Sequence, residues 1–171
     1  MFSDTYRMKL EQGVVWEVVG KWETRTQDEV QLEGANASAE EAAEGTESSS
    51  NLGIDIVLNH RLRETSFGTK MDFERYFKTY MNKVVAKMEE QGMGYQIDDL
   101  KENTSQYVHE LLKSFKDLMF FVGESVDPMS IHGVYDAMIV IAIEREVDVG
   151  GEKQKRPVMI FFKHGLEEEK F

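Results

Sequence analysis

The run Lys70-Met71-Asp72-Phe73-Glu74-Arg75-Tyr76-Phe77-Lys78-Thr79-Tyr80-Met81-Asn82-Lys83-Val84-Val85-Ala86-Lys87-Met88-Glu89-Glu90-Gln91 sets Phe73, Phe77, Tyr80, Met81, Val84, Val85 and Met88 at helical intervals. Lys78, Lys83 and Lys87 fall mostly between them, so the spacing predicts one long amphipathic helix. Gly92 and Gly94 then interrupt the pattern. From Ile97 a second helical pattern continues through Leu100, Tyr107, Val108, Leu111, Leu112 and Phe115. Two such helices joined by a short glycine-containing connection favour an antiparallel hairpin.

Outward from this hairpin the pattern changes on both sides. Upstream, Val14-Val15-Trp16-Glu17-Val18-Val19 and Trp22-Glu23-Thr24-Arg25-Thr26 are rich in β-branched and aromatic residues and predict a β-hairpin turning near Gly20. Gly53-Ile54-Asp55-Ile56-Val57-Leu58 predicts a further short strand, ending at Asn59-His60. Downstream, three β-rich runs follow: Leu118-Met119-Phe120-Phe121-Val122, Ala137-Met138-Ile139-Val140-Ile141-Ala142-Ile143 and Val158-Met159-Ile160-Phe161-Phe162. Gly150-Gly151 stands between the last two, where a hairpin connection belongs. Strands before and after a helical hairpin predict an α+β domain whose sheet is completed from both ends of the chain, with the helices projecting from it as an insertion. Residues 33–50 combine small residues and acids with no basic and no large apolar side chain, and so predict a mobile acidic loop. The expected organisation is a single domain: β core at 1–32 and 51–66, loop at 33–50, helical hairpin at 69–117 and returning β core at 118–171.

Composition narrows the function classes. With 171 residues and 41% hydrophobic content the chain supports one ordinary core. The absence of cysteine excludes a disulfide framework, a Cys-ligated metal and thiol catalysis. A formal net charge of -12 argues against non-specific attraction to nucleic acid or anionic lipid. Neither a signal-peptide run nor an apolar stretch of membrane-spanning length is present, which makes the cytoplasm the expected compartment. The acceptor patterns at Asn36-Ala37-Ser38 and Asn103-Thr104-Ser105 are given no weight without a secretory route.

Catalytic signatures are missing as well. His60, His109, His132 and His164 are dispersed, with no nucleophile elbow, and read as surface or packing residues. The P-loop pattern and a strand-following Gly-x-Gly-x-x-Gly are absent, and Gly92-Met93-Gly94 is explained as a helix stop. No segment has the spacing of an EF-hand loop, which leaves weak calcium binding through converging carboxylates of the acidic loop or of Glu167-Glu168-Glu169. The local exception to the acidic balance is the first long helix. There Lys70, Arg75, Lys78, Lys83 and Lys87 can project from the polar side and dock an acidic partner, although Asp72, Glu74, Glu89 and Glu90 flank them.

Several stretches together resemble one family. Gly34-Ala35-Asn36-Ala37-Ser38-Ala39-Glu40-Glu41, followed by Glu44-Gly45-Thr46-Glu47-Ser48, closely resembles the acidic-loop signature of the translationally controlled tumour protein family. Phe115-Lys116-Asp117-Leu118-Met119-Phe120-Phe121-Val122-Gly123-Glu124-Ser125 resembles its second signature. Asp55-Ile56-Val57-Leu58-Asn59-His60-Arg61-Leu62 and the run from Met159 to Lys170 are similar to the family in the same order. The fold this resemblance implies is a β-tent core, similar to that of a small Rab-binding guanine-nucleotide-exchange chaperone family, with an inserted helical hairpin and a flexible acidic loop.

The function it implies is that of a non-enzymatic cytoplasmic protein, with nuclear and non-classically secreted pools, that binds calcium weakly and associates with tubulin to stabilise microtubules. Roles in growth and survival signalling follow, with a Ras-like small GTPase, a translation elongation factor and anti-apoptotic proteins as partners. Nucleotide exchange on that GTPase and extracellular histamine release are the alternative activities. Residue by residue, the resemblance assigns tubulin binding to the basic helix with Lys70, Arg75, Lys78, Lys83 and Lys87, and the GTPase-facing carboxylate to Glu124. It leaves weak calcium binding for Glu40, Glu41 and Glu44, and makes Ser48 the phosphorylation candidate; phosphate there, among acids, would extend the loop further.

Three departures accompany the resemblance. The sequence begins later than the family pattern, which carries a strand and a second GTPase-facing carboxylate ahead of Met1-Phe2-Ser3-Asp4; either the gene product is incomplete or this member manages without them, and their loss would leave a neighbouring strand edge unpaired. Phe171 replaces the usual terminal cysteine, so a monomer is expected. Residues 127–136 look longer and less family-like, as an insertion would.

Overall fold

The computed structural model describes residues 5–26, 50–126 and 137–167. The expected acidic loop and the 127–136 stretch lie outside the described residues. Eight strands run in the order β1 (Arg7–Glu11), β2 (Val15–Val19), β3 (Trp22–Thr26), β4 (Ser50–Ile54), β5 (Arg63–Thr65), β6 (Met119–Val122), β7 (Val140–Val149) and β8 (Glu152–Phe162). Three α-helices, α1 (Asp55–Asn59), α2 (Lys70–Glu90) and α3 (Ile97–Leu112), lie between β4 and β6. Strands β1-β2-β8-β7-β6-β5 form a six-stranded antiparallel sheet, and β3-β4 a separate ribbon. The α+β class, the antiparallel sheet and the helical hairpin are as the sequence predicts. The sheet is indeed closed by the two ends of the chain, with β2 pairing β8 from Val15↔Phe162 to Val19↔Val158.

Three local expectations are corrected. First, β2 and β3 do not form a hairpin at Gly20: β2 pairs with β1 and β8, while β3 pairs with β4. A two-residue hairpin turn needs positive φ, and Gly20 is not among the positive-φ glycines. Its backbone instead donates to the Pro157 carbonyl at 2.8 Å, and the chain leaves the large sheet for the ribbon. The turn that forms is one hairpin earlier, at Gln12 (φ 49°) and Gly13 (φ 71°). Second, the strand expected over residues 53–58 ends at Ile54, and Asp55–Asn59 is helical. The buried Asp55 carboxylate accepts from its neighbour's N–H at Ile56 (2.8 Å) and from Lys21 N–H (2.9 Å), which holds the backbone in a helical turn against the ribbon.

Third, the helical hairpin does not simply project. Its apolar side belongs to the main core, with Phe73, Tyr76, Tyr80, Val84, Leu100, Val108 and Leu111 packed with Val15, Phe120, Ile139, Ile141, Ile160 and Phe162 of the sheet. The opposite sheet face carries Val18, Val140, Ala142, Met159 and Phe161, covered by Ile54 and Ile56 of the ribbon and α1. Burial on both faces explains why residues 158–162 read as a continuous apolar run rather than an alternating one.

The signals that bound α2 are legible in its sequence. Thr69 and Asp72 form a reciprocal capping box, with Asp72 N–H donating to Thr69 Oγ1 at 3.2 Å and Thr69 N–H to Asp72 Oδ2 at 3.0 Å. At the other end Gly92 has φ 73°, Met93 N–H reaches the Met88 carbonyl at 2.9 Å and Gly92 N–H the Glu89 carbonyl at 3.1 Å. That Schellman geometry releases the chain into α3. Tyr76 Oη donates to the Ala137 carbonyl (2.7 Å) and accepts from Ile139 N–H (2.9 Å), pinning α2 to the start of β7. On α3, Tyr107 Oη donates to Glu17 Oε1 (2.7 Å), and Arg145 Nη1 donates to the same oxygen (2.6 Å). Burial, reinforced by Glu17, pushes the Tyr107 hydroxyl well above its ordinary pKa, so it stays a donor at every working pH.

Candidate functional site

A stiff helix with exposed cations is the first surface. Arg75, Lys78, Lys83 and Lys87 are exposed, and Lys70, in the first turn of α2, is half-buried. At 3.6 residues per turn Arg75 and Lys78 fall on one side of the polar surface. Lys83 and Lys87 fall on another, flanking the buried Tyr76–Tyr80 side. Lys87 lies 3.5 Å from Glu167, beyond the end of β8. Asp72 serves the N-cap, while Glu74, Glu89 and Glu90 are exposed at the two ends of the helix. The structure thus gathers the cations as two pairs on one rigid rod rather than as a single line.

Glu124 forms the second surface. It lies two residues past the end of β6, is exposed, and stands 3.4 Å from Arg61 Nη1. Arg61 ends α1 in the left-handed conformation, φ 51°. Leu62 N–H reaches the Val57 carbonyl at 3.0 Å and Arg61 N–H the Leu58 carbonyl at 3.4 Å, the geometry in which Gly92 closes α2. For a side chain with a Cβ that backbone costs about 1–2 kcal/mol, and it leaves the guanidinium beside Glu124 at the surface, with the two side chains 76% and 59% exposed. Sequence reasoning singled out Glu124 and missed Arg61, which lies 63 positions away. The available signal was the Asn59-His60-Arg61-Leu62 end of an apolar helical turn with no glycine. Topology separates this pair from the start of α2. Arg63 pairs with Val122 at the Glu124 end of β5, while Thr65, from which the chain proceeds to α2, pairs with Phe120 at the other.

The remaining candidates are distributed differently. Glu40, Glu41, Glu44 and Ser48 lie outside the described residues. Among the described residues no three His, Asp or Glu side chains are arranged to hold a metal ion, and no helix is long and apolar enough to cross a membrane. His60 Nε2 and His164 Nδ1 are buried with no hydrogen-bond partner among the described residues, and burial pulls both imidazoles below their ordinary pKa, with Lys163 adding to the effect at His164. That is the behaviour of packing histidines. The acceptor pattern at Asn103 sits on α3 with Thr104 buried.

Similarity to known proteins converges on one family. The family model described as translationally controlled tumour protein matches residues 1–167. A translationally-controlled tumor protein homolog of Lonomia obliqua is 49% identical over 172 residues, spanning 100% of this chain and 93% of the relative. Its namesake in Drosophila melanogaster is 49% identical over 171 residues, spanning 99% and 92%. Among solved structures, the translationally controlled tumor-associated protein p23fyp of Schizosaccharomyces pombe superposes with a TM-score of 0.72 at 35% identity, covering 99% of this chain and 92% of that one. The solution structure of the Caenorhabditis elegans translationally-controlled tumor protein gives a TM-score of 0.69 at 34% identity, with the same coverage. With the whole described fold and nearly the whole sequence in agreement, this chain belongs to the translationally controlled tumour protein family.

Proposed function

We propose that this protein is a non-enzymatic cytoplasmic interaction protein that binds tubulin and stabilises microtubules through the cations of α2, and that it takes up calcium weakly through the carboxylates Glu40, Glu41 and Glu44. The observation that carries the tubulin reading is the exposure of Arg75, Lys78, Lys83 and Lys87 on a helix capped at both ends, in a chain whose formal net charge is -12. A local cationic rod on an acidic body selects an acidic partner and a fixed docking orientation. Carboxylate oxygens are the hard donors that calcium prefers, and without a dedicated loop they bind it weakly. Growth and survival signalling, and binding of an elongation factor or anti-apoptotic proteins, are carried by the family resemblance alone.

The test is co-sedimentation with microtubules. Replacing Lys78, Lys83 and Lys87 together by glutamate is expected to weaken binding at least tenfold, about 1.4 kcal/mol, and the residual binding should fall further with salt. Unchanged co-sedimentation of a normally folded triple variant removes α2 as the tubulin surface.

A second reading, contact with a Ras-like small GTPase and acceleration of its nucleotide release, is favoured by Arg61. A guanidinium beside Glu124 on a strained backbone gives an exposed charged pair that can engage a switch region or its metal-binding surroundings. Substoichiometric protein added to a loaded GTPase should release nucleotide over many turnovers, and Glu124→Ala should lose most of that acceleration. Release that merely tracks stoichiometry identifies a binder instead of an exchanger.

A further inference from the structure

Strand β7 outruns its neighbour. Strand β6 covers it only from Met119↔Ala142 to Phe121↔Val140, whereas β8 follows it as far as Val149↔Glu152. Beyond Ala142, no described strand pairs with the outer edge of β7.

The direction of its backbone groups follows from one hydrogen bond. The Pro157 carbonyl accepts from Gly20 N–H at 2.8 Å, on the β2 side of β8. In an antiparallel ladder the backbone groups of facing residues alternately point toward and away from each other. Since Glu144 faces Pro157, its N–H and C=O point away from β8, and those of Glu146 and Asp148 do the same. The side chains of these three residues lie on the ribbon side of the sheet, where Trp22 Nε1 donates to Glu144 Oε1 at 3.0 Å. The same residues therefore present both the free backbone groups and an acidic row. Among the described residues, the Asp148 carbonyl is the one of these groups that is engaged, by the Arg7 guanidinium.

Beside this edge runs a groove of about 540 Å³ whose lining includes Trp22, Met119 and the acids Asp117, Glu144 and Glu146, together with the cations Arg145 and Lys155. Trp22 is 38% exposed there and Met119 half-buried, so the floor is partly apolar. The chain itself shows which charges such a row accepts in a neighbouring strand: Lys155 faces Glu146 and Lys153 faces Asp148. A second copy adding β7 to β7 would instead set acids against acids.

We infer that the outer edge of β7 is a docking site for an extended basic peptide segment of a partner protein. The segment adds as a strand in continuation of β6, with Lys or Arg at alternate positions opposite Glu144 and Glu146 and an apolar residue toward Trp22. Strand addition supplies affinity through main-chain bonds, and the alternation supplies specificity.

The probes are two fluorescein-labelled peptides of equal composition, Lys-Thr-Lys-Thr-Lys-Thr and Lys-Lys-Lys-Thr-Thr-Thr, titrated against the full chain by anisotropy. The alternating peptide is expected to bind at least tenfold tighter. Glu146→Lys should cost about tenfold, and Glu89→Lys, on the exposed end of α2, should leave binding unchanged. Hydrogen exchange gives the independent readout: the alternating peptide should slow the amides of Glu144 and Glu146. Those of Arg145 and Val147, which face β8, should stay as they were. Equal affinity for the two peptides, equal loss in both variants, or no slowing at Glu144 and Glu146 overturns the site and leaves only a general attraction of cations to an acidic protein.

Discussion

Replacing Phe73 by alanine is expected to lower the unfolding free energy by about 4 kcal/mol, within the range of about 3–5 kcal/mol for deleting a buried phenylalanine. Phe73 is fully buried at the start of α2. Its ring meets Phe67 edge-on with centroids 5.2 Å apart, lies 5.4 Å from Phe120 of β6, and stacks on Phe77 at 6.0 Å. The loss therefore combines transfer, an unfilled cavity bounded by other rings, and edge-to-face contacts that a smaller side chain cannot make. Phe73→Leu keeps most of the volume and should cost under about 1.5 kcal/mol. Urea unfolding of the three proteins decides the matter, provided the slope with denaturant stays the same. A loss below about 2 kcal/mol for the alanine variant would mean that the aromatic cluster does not anchor the hairpin to the sheet. For a domain of ordinary stability, about 5–15 kcal/mol, the expected loss is a large fraction of the total, and it falls on the packing that positions every surface proposed on that helix.

The parts of the fold that sequence reasoning finds are those encoded within a turn or two of the chain. Apolar spacing at Phe73, Tyr80, Val84 and Met88 specifies α2, and Gly92 its end, because the helix period and the left-handed cap are local requirements. Gly150 and Gly151, with φ 65° and 91°, supply the paired positive angles of a tight hairpin between β7 and β8. What escapes is whatever depends on a distant partner. Residues 14–26 carry strand propensity throughout, but β3 crosses to β4 beside a contact the local sequence does not announce, Lys21 N–H donating to Asp55 34 positions away. The short edge strand β5 offers only Arg63-Glu64-Thr65, and its pairing with β6 depends on residues that follow two long helices.

The candidate sites divide in the same way. The cations of α2 can be read from the sequence because helical spacing fixes their faces. Arg61 beside Glu124 cannot, since it rests on how α1 ends and where β6 stops. The open edge of β7 is still further from view, being a difference in length between two strands that are each unremarkable alone.

The second large expectation concerns the joint at which the chain passes from the sheet to the ribbon. Asp55→Ala should destabilise the protein by about 3 kcal/mol, because Asp55 Oδ1 accepts from both Lys21 N–H (2.9 Å) and Ile56 N–H (2.8 Å) in a site where the residue is 6% exposed. Each buried donor left without a partner costs about 1–3 kcal/mol. A methyl group at Gly20 would lie 2.8 Å from Asp55 Oδ1 and 3.1 Å from Ile54 Cγ2, so backbone and side chains already meet closely there. Asp55 N–H donates in turn to the Lys21 carbonyl at 3.0 Å, so the carboxylate and its own backbone together hold both the N–H and the C=O of one residue, Lys21. Asp55→Asn retains Oδ1 as an acceptor and should recover most of the stability, which separates loss of these hydrogen bonds from loss of charge. Denaturant unfolding of the three proteins reads the energies. Hydrogen exchange locates them, since the alanine variant should lose protection first at Lys21 and Ile56 and through the β3–β4 pairing. If alanine and asparagine variants are equally unstable, the acceptor is not what holds the joint. If both unfold like the unmodified protein, the ribbon is held by Ile54 and Ile56 packing on Val18 and Met159 alone.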